Sequence, residues 1–155
     1  MAPATVPPEG VRAANRWVSF DSVLLTEIDH VAIAVNDLEA AIGYYRDTFG
    51  AEVDHREVVE SDGVEEALLR VADSYIQLLT PVRDDSPVAK YLERKGEGLH
   101  HVGYRVDDCA AALEAVKAQG GRLIDEAPRP GSRGTTVAFV HPKGAFGTLI
   151  ELVQE

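Results

Sequence analysis

The chain repeats itself. Ile28-Asp29-His30-Val31-Ala32-Ile33-Ala34-Val35 reads as a strand, followed by Asn36-Asp37 and a helical stretch from Leu38 to Phe49. Leu99-His100-His101-Val102-Gly103-Tyr104-Arg105-Val106 reads the same way, followed by Asp107-Asp108 and a helical stretch from Cys109 to Gln119. His30 and His101 lie 71 positions apart, and the same spacing matches Val31 to Val102, Val35 to Val106, Asp37 to Asp108, Ala40 to Ala111 and Ala41 to Ala112. A period this long marks one supersecondary unit used twice.

The repeat runs past the helices. Asp37 and Asp108 suit N-caps, and Gly50 and Gly120-Gly121 suit helix stops. Strand-like segments follow in each copy, ending in Tyr75-Ile76-Gln77-Leu78-Leu79 and in Leu149-Ile150-Glu151-Leu152-Val153. Gln77 and Glu151 are 74 apart, which implies a small insertion in the second copy. Val137 to Val140 and then His141-Pro142-Lys143-Gly144 read as strand and turn. The expected fold class is α+β: two tandem βαβββ modules, over about residues 27–80 and 98–153, forming curved mixed sheets around a metal-binding cleft. Ser86-Pro87 predicts a linker helix over about 86–95. Residues 1–25 are expected to be an extension outside this single domain of 26–153, with Trp17 and Phe20 able to pack on it.

Four polar residues stand at matching places among apolar strand formers: His30 and His101 on the first strands, Gln77 and Glu151 on the last. Strand alternation puts His30 on one face with Ala32 and Ala34, and Gln77 on one face with Tyr75 and Leu79. A pseudo-twofold arrangement brings the two pairs into one cleft. Two imidazoles, an amide oxygen and a carboxylate make a mixed nitrogen and oxygen set that suits a divalent ion with places left open for substrate. A single strand histidine is more often a core or surface residue, but four such residues at repeat-related positions resist that explanation.

Charge narrows the partners. The formal net charge is −11, which argues against nucleic acid or an anionic membrane surface, since both need a positive face. No apolar run approaches a membrane span, and Met1 to Gly10 carries three prolines and no apolar h-region of a signal peptide. Cys109 is the one cysteine, which fits a cytoplasmic location.

Asp29-His30-Val31, Tyr44-Tyr45 followed by Thr48-Phe49-Gly50, Asp85-Ser86-Pro87-Val88-Ala89-Lys90, Ile76-Gln77-Leu78, Leu99-His100-His101-Val102, His141-Pro142-Lys143-Gly144 and Leu149-Ile150-Glu151-Leu152 resemble the methylmalonyl-CoA epimerase family of the vicinal-oxygen-chelate superfamily. The resemblance covers about residues 26–153. It implies His30, Gln77, His101 and Glu151 as ligands of a divalent cation (cobalt, manganese, nickel, magnesium or zinc), a CoA thioester substrate, and a homodimer. It implies epimerisation at an acidic carbon, through an enolate, with a proton-transfer group on each face. Glu66 is then the candidate base by ungapped extension from His30. Glu151 is a candidate for the opposite face, although a metal-bound carboxylate is a weak base, and a metal-bound water or His100 are further candidates. His100 is expected to alternate away from His101, as a surface or outer-shell residue.

Glyoxalase I, the competing lyase reading, resembles His/Glu/His/Glu at the four places, where this chain has Gln77 at the second. Extradiol dioxygenases carry a triad in longer chains, and metal-free binding members of the superfamily lack the ligands. No glycine-rich phosphate loop is present, so CoA phosphates would fall to scattered residues such as Arg129, Arg133, Lys90 and Lys143. His55 is expected to be solvated, His141 to shape its turn, and Cys109 to be a small helix-start residue.

Overall fold

The computed structural model describes residues 23–155. The first module comprises β1 (Glu27–Ala34), α1 (Leu38–Phe49), β2 (Val53–Val59), β3 (Val64–Val71) and β4 (Ser74–Pro81). Helix α2 (Pro87–Lys95) links it to the second, which comprises β5 (Gly98–Arg105), α3 (Cys109–Ala118), β6 (Arg129–Pro130), β7 (Thr136–Val140) and β8 (Ile150–Gln154). Trp17, Phe20 and most of the expected extension lie outside the described residues.

The helices begin where their caps require. Asp37 accepts from the Ala40 N–H and Asp108 from the Ala111 N–H, each satisfying a donor the first turn leaves free. Ser86 caps α2 through the Val88 N–H, with Pro87 at the first helical position. Helix α1 ends at Gly50, whose φ of 68° turns the chain out of the helix.

The strands form one sheet in the order β2-β3-β4-β1-β5-β8-β7-β6. The order of the second half mirrors the first, and β1 and β5 meet antiparallel at the centre. The two expected curved sheets are thus one continuous sheet, curled into a half-barrel. Within each module the first and last strands pair in parallel, β1 with β4 and β5 with β8. This sets each histidine strand beside its own Gln77 or Glu151 strand. Strand β6 has only two residues against seven in β2, because Pro130 lacks the N–H a longer ladder needs.

The helices α1 and α3 cover the outer face. Val35, Leu38, Ile42, Ala67, Leu69 and Leu78 pack under α1, and Val106, Leu113, Ala138, Val140 and Leu152 under α3. A fully buried leucine such as Leu69, Leu78 or Leu113 contributes about 1.5–3 kcal/mol. On the inner face, α2 seats Val88 against Ala32, Ala34, Val64 and Leu79 and closes one end. The rest of that face is left as a cavity.

Candidate active site

The cavity is lined by His30, Gln77, His101, Glu151 and Glu66, with walls that include Leu68, Leu79 and Val137. All five polar side chains are buried. Strands β1, β4, β5 and β8 deliver the four residues of the repeat, and β3 delivers Glu66. The central register sets them: Ala32 pairs with Gln77 on one side and His101 on the other, while Gly103 pairs with His30 and with Glu151.

Three donor atoms crowd one point. His30 Nε2 and His101 Nε2 are 3.0 Å apart, and Glu151 Oε2 lies 2.9 Å from the first and 2.8 Å from the second. Gln77 Nε2 donates to Glu66 Oε2 at 2.5 Å, while Gln77 Oε1 is buried without a hydrogen-bond partner. Two imidazole nitrogens and a carboxylate so close need a positive charge among them. An octahedral ion with bonds of about 2.1 Å sets neighbouring ligands about 3.0 Å apart, which matches these separations. The orphaned Gln77 oxygen adds a donor of the right chemistry. The residues present therefore fit a divalent cation.

The proton balance agrees. Burial would lower the pKa of His30, yet its bonds to Asp29 and Glu151, with their charges, carry it up to about 9. Burial would raise Glu151, but the hydrogen bonds from His101 and His30 hold its carboxylate well below the usual range. Burial and the neighbouring charge of His30 keep His101 below its ordinary value against the pull of Glu151.

Sequence alternation missed how the histidines are oriented. The β1–β5 register slips twice, at Asp29 and at His100, each time one residue before a site histidine. Such bulges re-aim side chains. Asp29, fully buried, bonds His30 Nδ1 at 2.7 Å, and His100 Nδ1 lies 2.8 Å from His101 Nδ1. His100 therefore does not simply alternate away. It is half-buried and touches the site histidine, the outer-shell half of the expectation. Burial first, then the His101 charge, pushes His100 down to about 4, so it is neutral and able to accept a proton from His101 Nδ1. Each site histidine thus has its Nδ1 engaged and its Nε2 turned inward.

Asp29 also binds Arg105 Nη2 at 2.9 Å and Arg133 Nη2 at 2.7 Å. Arg133 stacks over Tyr75 at 4.9 Å and anchors the 132–134 turn that borders the cavity. Arg105 did not stand out in the sequence, and Arg133, expected as a candidate phosphate contact, is paired with Asp29. Arg129 lines the cavity too, paired with Asp62 and Asp125, whereas Lys90 and Lys143 are exposed.

Glu66 is 2% exposed, and its Oε1 has no hydrogen-bond partner. Burial first, and then the Glu151 charge, raises its pKa, against the nearby Ser132 hydroxyl, Gln77 and His30. Its neighbour Glu65 faces the other way and pairs with Arg56 at 2.9 Å. His55 is half-buried and bound to Glu57, not freely solvated. His141 caps its own turn by accepting from the Lys143 N–H. Cys109 is fully buried, and burial raises its thiol.

Residues 29–139 match the model of the Glyoxalase/Bleomycin resistance protein/Dioxygenase superfamily. The chain is 40% identical over 133 residues to the ethylmalonyl-CoA/methylmalonyl-CoA epimerase of Cereibacter sphaeroides, covering 84% of this chain and 99% of that one. Among solved structures, a methylmalonyl-CoA epimerase in complex with methylmalonyl-CoA and NH4+ is 44% identical with a TM-score of 0.82, over 84% of this chain and 95% of that one. The methylmalonyl-CoA epimerase of Mycobacterium tuberculosis is 41% identical with a TM-score of 0.81, over 84% and 89%. A putative lactoylglutathione lyase of Brassica oleracea is 28% identical and matches over only 43% of its length.

Proposed function

The chain belongs to the methylmalonyl-CoA epimerases of the glyoxalase/bleomycin resistance protein/dioxygenase superfamily, and we propose that it interconverts the two epimers of methylmalonyl-CoA with Glu66 as a proton-transferring base. The observation that carries the assignment of Glu66 is its carboxylate, buried in the cavity wall with one oxygen bound to Gln77 and the other free. A carboxylate raised by burial is a stronger base than one in water, and its free edge is available to a carbon-bound proton.

His30, Gln77, His101 and Glu151 would hold the metal. When bound, a divalent cation stabilises negative charge developing on oxygen beside the reacting carbon. Asp29 and His100 fix the two imidazoles with Nε2 facing inward. Apolar side chains such as Leu68, Leu79 and Val137 line the wall beside Glu66. Two other carboxylates line the cavity, Asp62, which is paired with Arg129, and Glu151. The histidines hold Glu151 anionic and far below its usual range, which suits a ligand and leaves it a weak base for the second face.

The same reading includes a cytoplasmic location, a homodimer and a single domain over residues 26–153, the last supported by the one continuous sheet. No helix among the described residues is long and apolar enough to cross a membrane. Sedimentation showing only a 16.8 kDa species at micromolar concentration would remove the dimer from this reading.

The test is loss of the α-proton of methylmalonyl-CoA in heavy water, run on metal-free and metal-loaded protein beside a lactoylglutathione lyase assay. Metal-dependent exchange with epimerisation is expected. Lyase turnover without exchange would overturn the proposal in favour of the glyoxalase reading.

A further inference from the structure

A second cluster of metal-competent side chains lies on the wall that carries Glu66. Glu57 on edge strand β2 pairs directly across from Glu66 on β3, and His55 is two residues along on the same face. His55 Nε2 is 2.8 Å from Glu57 Oε2, and one donor atom from each of His55, Glu57 and Glu66 lies within 4.8 Å of the others. Two carboxylates and an imidazole form a donor set that suits zinc, cobalt or nickel.

An acidic cluster alone would mean little. Here one member, Glu66, is 2% exposed and has a buried oxygen with no hydrogen-bond partner. His55 and Glu57 are about one-third exposed, so an ion has a route in from solvent. The Arg133 guanidinium is turned to Asp29 and Tyr75, and forms no ion pair with either carboxylate. Only the Arg133 N–H reaches Glu57, at 3.0 Å. That bond first, and His55 second, keep Glu57 below its ordinary value and anionic.

We infer that His55, Glu57 and Glu66 form a second divalent-cation site, separate from the His30, His101 and Glu151 cluster, and that an ion bound there silences the enzyme by occupying Glu66. The silencing rests on Glu66 being the base, whereas the binding does not. A cation seated on Glu66 ties up the electron pair that must accept the proton. Activity would then rise with the first equivalent of metal and fall with the second.

The experiment uses the untagged full chain, stripped of metal and titrated with Co2+ by calorimetry and visible absorption, with epimerisation followed in parallel. The parent should bind two equivalents and lose at least tenfold in rate as the second fills. His55→Ala should bind one equivalent, keep the rate of the one-equivalent parent, and resist excess Co2+. One equivalent in the parent, or two in His55→Ala, overturns the site. A second equivalent that binds through His55 but leaves the rate intact overturns the silencing and the assignment of Glu66 as base, while the cation site itself stands.

Discussion

Glu66→Gln should abolish most turnover while leaving stability and the metal equivalent held by His30, Gln77, His101 and Glu151 in place. The side-chain amide can keep the bond from Gln77 Nε2 through its carbonyl oxygen, and its NH2 takes the place of an oxygen that has no partner to lose. The net change in stability at pH 7 should stay within about 1 kcal/mol. The sign of the linkage favours the variant. A carboxylate raised by burial stabilises the fold below its unfolded pKa of about 4.5, and that contribution is lost as pH rises through the folded value. At neutral pH the ionised Glu66 opposes folding, and glutamine does not. Turnover is different, because glutamine cannot accept the proton. Loss of a general base costs on the order of 10²–10⁴-fold, or about 2.7–5.4 kcal/mol of barrier. The assay follows each epimer separately in heavy water, with thermal melting and metal analysis on the same sample. The epimer whose proton faces the other group can still exchange without inversion, whereas a lost binding contact would raise KM for both alike. In the parent, kcat/KM should fall on acidification, beginning above the ordinary carboxylate range. Parent-like rates with both epimers would make Glu66 a bystander.

Glu151→Ala should lower metal content sharply, since it removes the oxygen that touches both histidines; full occupancy with activity would contradict its role. Asp29→Asn should weaken metal affinity about 10–100-fold, by loosening His30. It should also cost on the order of 3 kcal/mol in denaturant unfolding, by leaving Arg105 and Arg133 without their buried partner; parent-like metal binding would refute the positioning. Cys109 should react with a thiol reagent only on unfolding, because it is buried and its thiol is raised; rapid native labelling would refute this.

Much of this was legible in the chain because the repeat places equivalent residues at equivalent points. The helix caps at Asp37, Ser86 and Asp108 and the gathering of His30, Gln77, His101 and Glu151 all follow from local pattern plus duplication. The pairing of β1 with β5 did not follow, since spacing says that two units exist and not which edges meet. The bulges were hidden for the same reason. A side-chain period of two sends Asp29 and His100 away from the site, and only the cross-strand register shows each of them turned back onto a histidine. Arg133 lies in a turn with φ of 56°, and no periodicity points from there to Asp29.

The mirrored strand order has a stereochemical consequence. Leu68 faces Gln77 across β3 and β4 as Phe139 faces Glu151 across β7 and β8, so the counterpart of Glu66 in the second module is Val137. Two identical modules in a symmetric pair would present the same group from both sides. Because both copies lie in one chain, they have been free to differ. The first module lines the cavity at this place with a carboxylate, and the second with the methyl groups of a valine. The two faces of the reaction therefore draw on different groups, one of them Glu66, and Val137→Glu is the substitution that would restore the symmetry.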